Sequence, residues 1–383
     1  MDGILAMVAF LTAPTAALPF VDVFGTASVQ CSGAQIVATS KSLLVFGICA
    51  PNGLYPSKNL TINMRKSTDW GVTWHPAIAQ PFPPPSLPKI VYDESNGALV
   101  SMGYCKPGPG IESDATGCPL PATCSWMSTD EGTTWTGPVH VGDYGSGEGC
   151  GGITLSTTGN ILMPTGLPNC TDSTKPSFDS VLITTDHGKT WSIGGPTPRI
   201  STGQGWGECM LAELANGSVV LTSRLSSRLG RHTAPIQRAF AISHDGCQTW
   251  DKAWTFPADL PFDSGFGPGY NVEHGLISAK DKTKLLLSKP TANLRGDSSG
   301  HYNCSRGTQG SCSYRRNLTI AQSDDGGASW SIHTWGLVYP GRVAYSDMAE
   351  VPSGRVAVVF ERGNPEEEYR YLAVAIATPD WVV

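Results

Sequence analysis

The side chains best suited to chemistry are dispersed along this chain rather than gathered around an ion. Its eight His are scattered, and neither HxxxH nor CxxC spacing occurs to put two ligands on one metal. No metal or cofactor is expected. One carboxylate does recur in a fixed frame, Ser/Thr-x-Asp-x-Gly-x-Thr/Ser-Trp. The copies are STDWGVTW (67–74), STDEGTTW (128–135), TTDHGKTW (184–191) and SDDGGASW (323–330). A degenerate copy, SHDGCQTW (243–250), has Cys247 at the Gly position. The chemistry of this frame is structural: Asp accepts backbone N–H groups across a tight turn, Gly permits positive φ, and Trp packs into the adjoining sheet.

These frames, known as Asp boxes, interleave with a second repeat that must position them. It is a Gly-rich or polar turn followed by a short apolar run. It reads SKSLLVFG (40–47), NGALVSMG (96–103), TGNILMPT (158–165), NGSVVLTS (216–223), DKTKLLLS (281–288) and SGRVAVVF (353–360). Each copy is a turn entering a buried strand. Two repeats in phase, with units long enough for about four strands, are the signature of an all-β fold, a six-bladed β-propeller. The strand around LPFVDVF (18–24) is expected to pair with the last blade, near YLAVAIAT (371–378), and close the ring. Residues 18–383 read as a single domain, because no linker or composition shift divides them.

Composition agrees and narrows the function. With 44 Gly and 29 Pro in 383 residues, the chain turns often and has room for few long helices. A net charge of −6, with 26 Lys and Arg and no basic stripe, excludes a nucleic-acid binder. The one long apolar run, MDGILAMVAFLTAPTAA (1–17), ends in small residues and reads as a secretory signal or its remnant, so no membrane span is expected. Eleven Cys and five sequons, at Asn59, Asn169, Asn216, Asn303 and Asn317, suit a secreted or luminal glycoprotein with disulfides. A monomer is expected.

Several segments resemble the sialidase (exo-α-neuraminidase) family, and together they span essentially the full length. GWGECMLAELANGSVVLTSR (205–224) resembles the segment in which a Glu is followed by a strand ending in Arg. The resemblance places Glu208 as catalytic base and Arg224 as an Arg of the carboxylate-binding triad. YRRNLTIAQSDDGGASW (314–330) puts another triad Arg at Arg315, and VYPGRVAYSDMAEV (338–351) puts the nucleophile at Tyr345. Glu361, in VAVVFERG, falls where the family has the Glu that orients the first triad Arg. These residue types suit the substrate. A sialoside carries a carboxylate beside its anomeric carbon, which Arg forks grip and which repels an anionic nucleophile; a neutral Tyr activated by Glu avoids that repulsion. The partners implied are sialylated or related acidic glycans.

The first half departs from the family. The first triad Arg lies about a dozen residues before the first LLAF-like strand, and counting back from Leu43 reaches Cys31 instead. The following loop, ICAPNGLYPSKNLTINMRKS (48–67), contains no Asp or Glu to act as acid. Glu148 and Asp114 are the candidate substitute acids. Cys31 and Cys49 flank the first turn–strand unit, where antiparallel partners come close enough for a disulfide, so they are expected to bond and leave a neutral crosslink in the pocket. Glu361 would then bind another cation, with Arg224 and Arg315 in reach, or face solvent. Two functions follow: a secreted retaining exo-glycosidase of sialidase type, or a non-hydrolytic glycan-binding propeller derived from one.

Overall fold

The computed structural model describes residues 18–51, 59–84, 87–105, 122–142, 151–167, 178–198, 204–227, 238–255, 273–290, 316–363 and 370–378. Every regular element among them is a β-strand. After β1 (Phe20–Phe24), the chain runs in four-stranded antiparallel meanders. The first is β2 (Val29–Ala38), β3 (Leu43–Pro51), β4 (Thr61–Ser67) and β5 (Ile78–Ala79). The second is β6 (Lys89–Asp93), β7 (Ala98–Tyr104), β8 (Thr123–Ser128) and β9 (Thr136–Gly142). The third is β10 (Ile153–Thr154), β11 (Ile161–Leu167), β12 (Phe178–Thr184) and β13 (Ser192–Ile193). The fourth is β14 (Gln204–Glu213), β15 (Val219–Ser227), β16 (Arg238–Ser243) and β17 (Lys252–Thr255).

The remaining strands form one seven-stranded sheet: β18 (Gly275–Ser278), β19 (Leu285–Pro290), β20 (Arg316–Ser323), β21 (Ser331–Glu350), β22 (Val356–Gly363), β23 (Tyr371–Ala377) and, at its far edge, β1. Strand β21 serves two meanders. Its first half pairs with β20 and its second half with β22. The six turn–strand copies fall on β3, β7, β11, β15, β19 and β22, each the second strand of a meander. The first strands touch in a closed cycle, β2 to β6, β10, β14, β18, β21 and back to β2. This is an all-β propeller. Six apolar clusters fill the spaces between successive meanders, so each sheet buries both faces.

The repeated Asp frame does the turning. Its Ser or Thr is the last residue of the third strand in five meanders: Ser67, Ser128, Thr184, Ser243 and Ser323. In the first turn, the Gly71 N–H donates to Ser67 Oγ at 2.7 Å and the Thr73 N–H to Asp69 Oδ1 at 2.8 Å. The Thr73 hydroxyl closes the loop on Asp69 Oδ2 at 2.5 Å. The same bonds recur around Asp130, Asp186, Asp245 and Asp325. The turn needs positive φ at the Gly position, and Cys247 adopts it at φ 70° while its N–H still reaches Ser243 Oγ at 2.8 Å. The frame therefore survives loss of its Gly. Each Trp then packs into the apolar cluster between its own meander and the preceding one.

Bonds from Thr73 and Thr190 hold the carboxyls of Asp69 and Asp186 down at about 2. A depressed folded-state pKa stabilises the fold above the unfolded value, and that stability is lost as pH falls through the folded value. Thermal melts between about pH 4 and pH 2 should therefore show a steep fall in Tm for the wild type. The Asp186→Asn variant, lacking one titrating group, should show a shallower fall over the same window; an unchanged slope would assign the acid sensitivity elsewhere.

Candidate functional site

Three first strands carry β-bulges at the same end of the ring, and each bulge presents a residue of the site. In β14 the register slips between Gly207 and Cys209, leaving Glu208 as the extra residue, with φ 47°. Positive φ at a non-Gly residue is strained and re-aims its side chain. In β21 the pairs Val343–Arg362 and Ser346–Phe360 bracket two residues, Ala344 and Tyr345, opposite Glu361 alone. In β2 the pairs Ser32–Ile48 and Gln35–Phe46 bracket Gly33 and Ala34 opposite Gly47.

The bulges bring together side chains far apart in sequence. The Tyr345 hydroxyl donates to Glu208 Oε1 at 3.3 Å across 137 positions, just beyond the 2.6–3.2 Å range of a tight catalytic contact. Arg224, on β15 beside Gly207, donates from Nη1 to the same Glu208 oxygen at 2.6 Å. Glu208 is only 4% exposed, while the Arg224 side chain is partly exposed. Burial works against the Arg224 cation, but the Glu208 carboxylate and the Tyr345 hydroxyl outweigh it and raise its pKa. The result is a carboxylate, a phenol hydroxyl and a guanidinium gathered on one carboxylate oxygen.

The wall beside β2 differs. Cys31 and Cys49 are directly opposite on β2 and β3 and form a disulfide. A neutral crosslink thus occupies the position counted back from Leu43. Glu361 does not face solvent, being 3% exposed. Its oxygens accept from the Ser32 hydroxyl, from the Gly33 N–H at 2.8 Å and from the Tyr345 N–H at 3.5 Å. Of the two alternatives expected for Glu361, another cation or solvent, this burial excludes solvent, and the bulges beside it supply buried donors. Ser32 and Gly33 carry no sequence signal for such a role, since only the fold sets them against Glu361. Arg315, Glu148 and Asp114 lie outside the described residues. A second disulfide, Cys105–Cys124, ties β7 to β8 at the same end of the ring.

Sequence reasoning also missed Asp347, two residues beyond Tyr345. Its Oδ2 accepts from the Ile36 N–H at 3.0 Å and its Oδ1 from the Met348 N–H at 2.8 Å, stapling the last first-strand to β2. Complete burial pushes its carboxyl up to about 7 despite those two bonds.

The family of BNR repeat-like domains matches residues 87–358. The chain belongs to that family. It is 25% identical to a sialidase of Micromonospora viridifaciens over 340 residues, 82% of this chain and 47% of that one. It is also 25% identical to a sialidase of Bacteroides fragilis over 365 residues, 85% of this chain and 59% of that one. The chain thus spans roughly half the length of these relatives. A solved Hadza microbial sialidase superposes with TM-score 0.67 at 20% identity, covering 94% of this chain and 67% of that one. The intramolecular trans-sialidase of Ruminococcus gnavus superposes with TM-score 0.64 at 14% identity, covering 96% and 99%. These superpositions show the shared propeller fold. Among the described residues no helix is long and apolar enough to cross a membrane.

The raised carboxyl of Asp347 has a measurable consequence. Between its ordinary value near 4 and its folded value of about 7, the native state keeps a proton that the unfolded state has released. Native stability should therefore fall as pH rises through that window. Comparing melts at about pH 4.5 and pH 7, Asp347→Asn should lose less Tm than the wild type, since Asn does not titrate. Equal losses would mean Asp347 titrates normally.

Proposed function

We propose that the chain is a secreted, retaining exo-glycosidase of sialidase type, acting on terminal sialic acid or a related nonulosonic acid. The observation that carries this reading is the contact of Tyr345 with Glu208 at 3.3 Å, with Arg224 on the same carboxylate oxygen. In this reading Glu208 takes the phenolic proton as the Tyr345 oxygen attacks the anomeric carbon. The glycosidic bond breaks and its electron pair leaves with the aglycone oxygen, giving a glycosyl-tyrosine. Water, deprotonated in turn, then releases the sugar and returns the phenol. A Tyr bears no charge before attack, which lowers its repulsion from a substrate carboxylate. That carboxylate would lie against Arg224 and Arg315, whose planar forks suit it. Glu148 or Asp114 would protonate the leaving group.

A second reading, a glycan-binding propeller without turnover, is favoured by the Cys31–Cys49 crosslink and by the loop that contains no Asp or Glu between 48 and 67. A missing general acid costs about 10²–10⁴-fold in rate for a poor leaving group and little for a good one. The aryl glycoside 4-methylumbelliferyl N-acetylneuraminide separates the readings, because it needs no acid. Turnover supports the hydrolase; saturable binding without turnover supports the binder.

Tyr345→Phe removes only the hydroxyl oxygen. On the same aryl glycoside it should lose at least about 10³-fold in kcat, with an unchanged melting curve. Retention of most of the activity would exclude Tyr345 as nucleophile.

A further inference from the structure

Two of the three bulges at the site meet on one side chain. A bulge takes backbone N–H groups off the ladder, and a buried N–H needs another acceptor. Gly33, in the bulge of β2, donates to Glu361 Oε1 at 2.8 Å, and the neighbouring Ser32 hydroxyl donates to the same oxygen. Tyr345, in the bulge of β21, directs its N–H to Glu361 Oε2 at 3.5 Å. Glu361 itself stands on β22, opposite the two bulged residues Ala344 and Tyr345. One buried carboxylate therefore spans the join between the last meander and the first, with one oxygen on each bulge.

We propose that Glu361 is a positioning residue for Tyr345: with Ser32 and Gly33 as its anchor, it holds the bulge that aims the Tyr345 hydroxyl at Glu208. The Cys31–Cys49 crosslink secures the strand on which that anchor sits. Glu361 thus acts through backbone hydrogen bonds on the nucleophile strand. The catalytic consequence rests on the reading of Tyr345 as nucleophile; the structural half does not. The geometry makes the effect large. A shift of about 1 Å at a reacting atom can cost about 10²-fold in rate. The Tyr345 hydroxyl already sits at 3.3 Å from its acceptor, with little slack.

Glu361→Gln keeps the size of the side chain but turns one acceptor oxygen into a donor, so one of the two bulges must lose its partner. Ser32→Ala removes a single anchor bond, and Ser32→Thr restores a hydroxyl. Two readouts apply: hydrogen–deuterium exchange at the Tyr345 amide in the free protein, and kcat and KM on 4-methylumbelliferyl N-acetylneuraminide. In Glu361→Gln the Tyr345 amide should exchange about tenfold or more faster, kcat should fall about 10- to 100-fold, and KM should stay within about threefold. Ser32→Ala should move the same quantities in the same direction by less, with recovery in Ser32→Thr. Unchanged exchange at Tyr345 in both Glu361→Gln and Ser32→Ala would overturn the inference. So would a KM raised about tenfold with kcat retained, since that marks Glu361 as part of substrate binding. Should Glu361→Gln fail to fold, Ser32→Ala carries the test. If the wild type does not turn over the sialoside, the hydrolase reading falls, and the exchange measurement alone decides the role of Glu361.

Discussion

A ring of sheets holds Tyr345 against Glu208 only while its two ends stay joined, and that join is the pairing of β1 with β23. Phe20 to Phe24 run antiparallel to Leu372 to Ala375, so the first segment of the described chain completes the last sheet. The pairing is reinforced from the side. Arg362 grips Asp22 with two nitrogens and lies over the rings of Phe20 and Tyr371, at 5.1 and 4.4 Å from their centroids. A two-pronged guanidinium–carboxylate contact stacked on aromatic faces outlasts an isolated surface pair. Closure also removes the open sheet edges at this point. The next residue inward from that clamp is Glu361, so the join and the site share one strand.

Within the regular ring, the chemistry is assembled from irregularities. A perfectly paired strand alternates its side chains between two apolar interfaces and leaves none aimed at the axis. Glu208, Tyr345 and the Ser32–Gly33 pair escape that alternation because each sits at a bulge. The strained φ of 47° at Glu208 is retained because Arg224 and Tyr345 both bind the carboxylate it presents. The rigid interfaces below supply the stability that the bulges sacrifice.

The charges of the site are distributed unevenly around the ring. Arg224 and Arg238 stand directly opposite each other on β15 and β16, an arrangement of like charges that opposes pairing. Glu208 compensates one of them, and the buried His274 ring accepts from the other through Nε2 at 2.7 Å. The side made by β2 and β3 carries an uncharged disulfide instead.

Periodicity in the sequence was enough for the architecture. The Asp frames and the apolar runs recur because every meander must solve the same local problem, a tight turn followed by a buried strand, and local problems are written in local residues. The expected closing strand and the Cys31–Cys49 crosslink were legible for the same reason: each depends on a near neighbour or a repeated register. The contact of Glu208 with Tyr345 was reachable only through resemblance, since nothing in 137 intervening positions encodes it. Ser32, Gly33 and Asp347 were not legible at all. Their importance comes from one bulge meeting another across the closed ring, and a bulge is a property of paired strands that no single segment displays. The tertiary structure alone decided which buried N–H groups would lack ladder partners, and hence which carboxylates had to serve them.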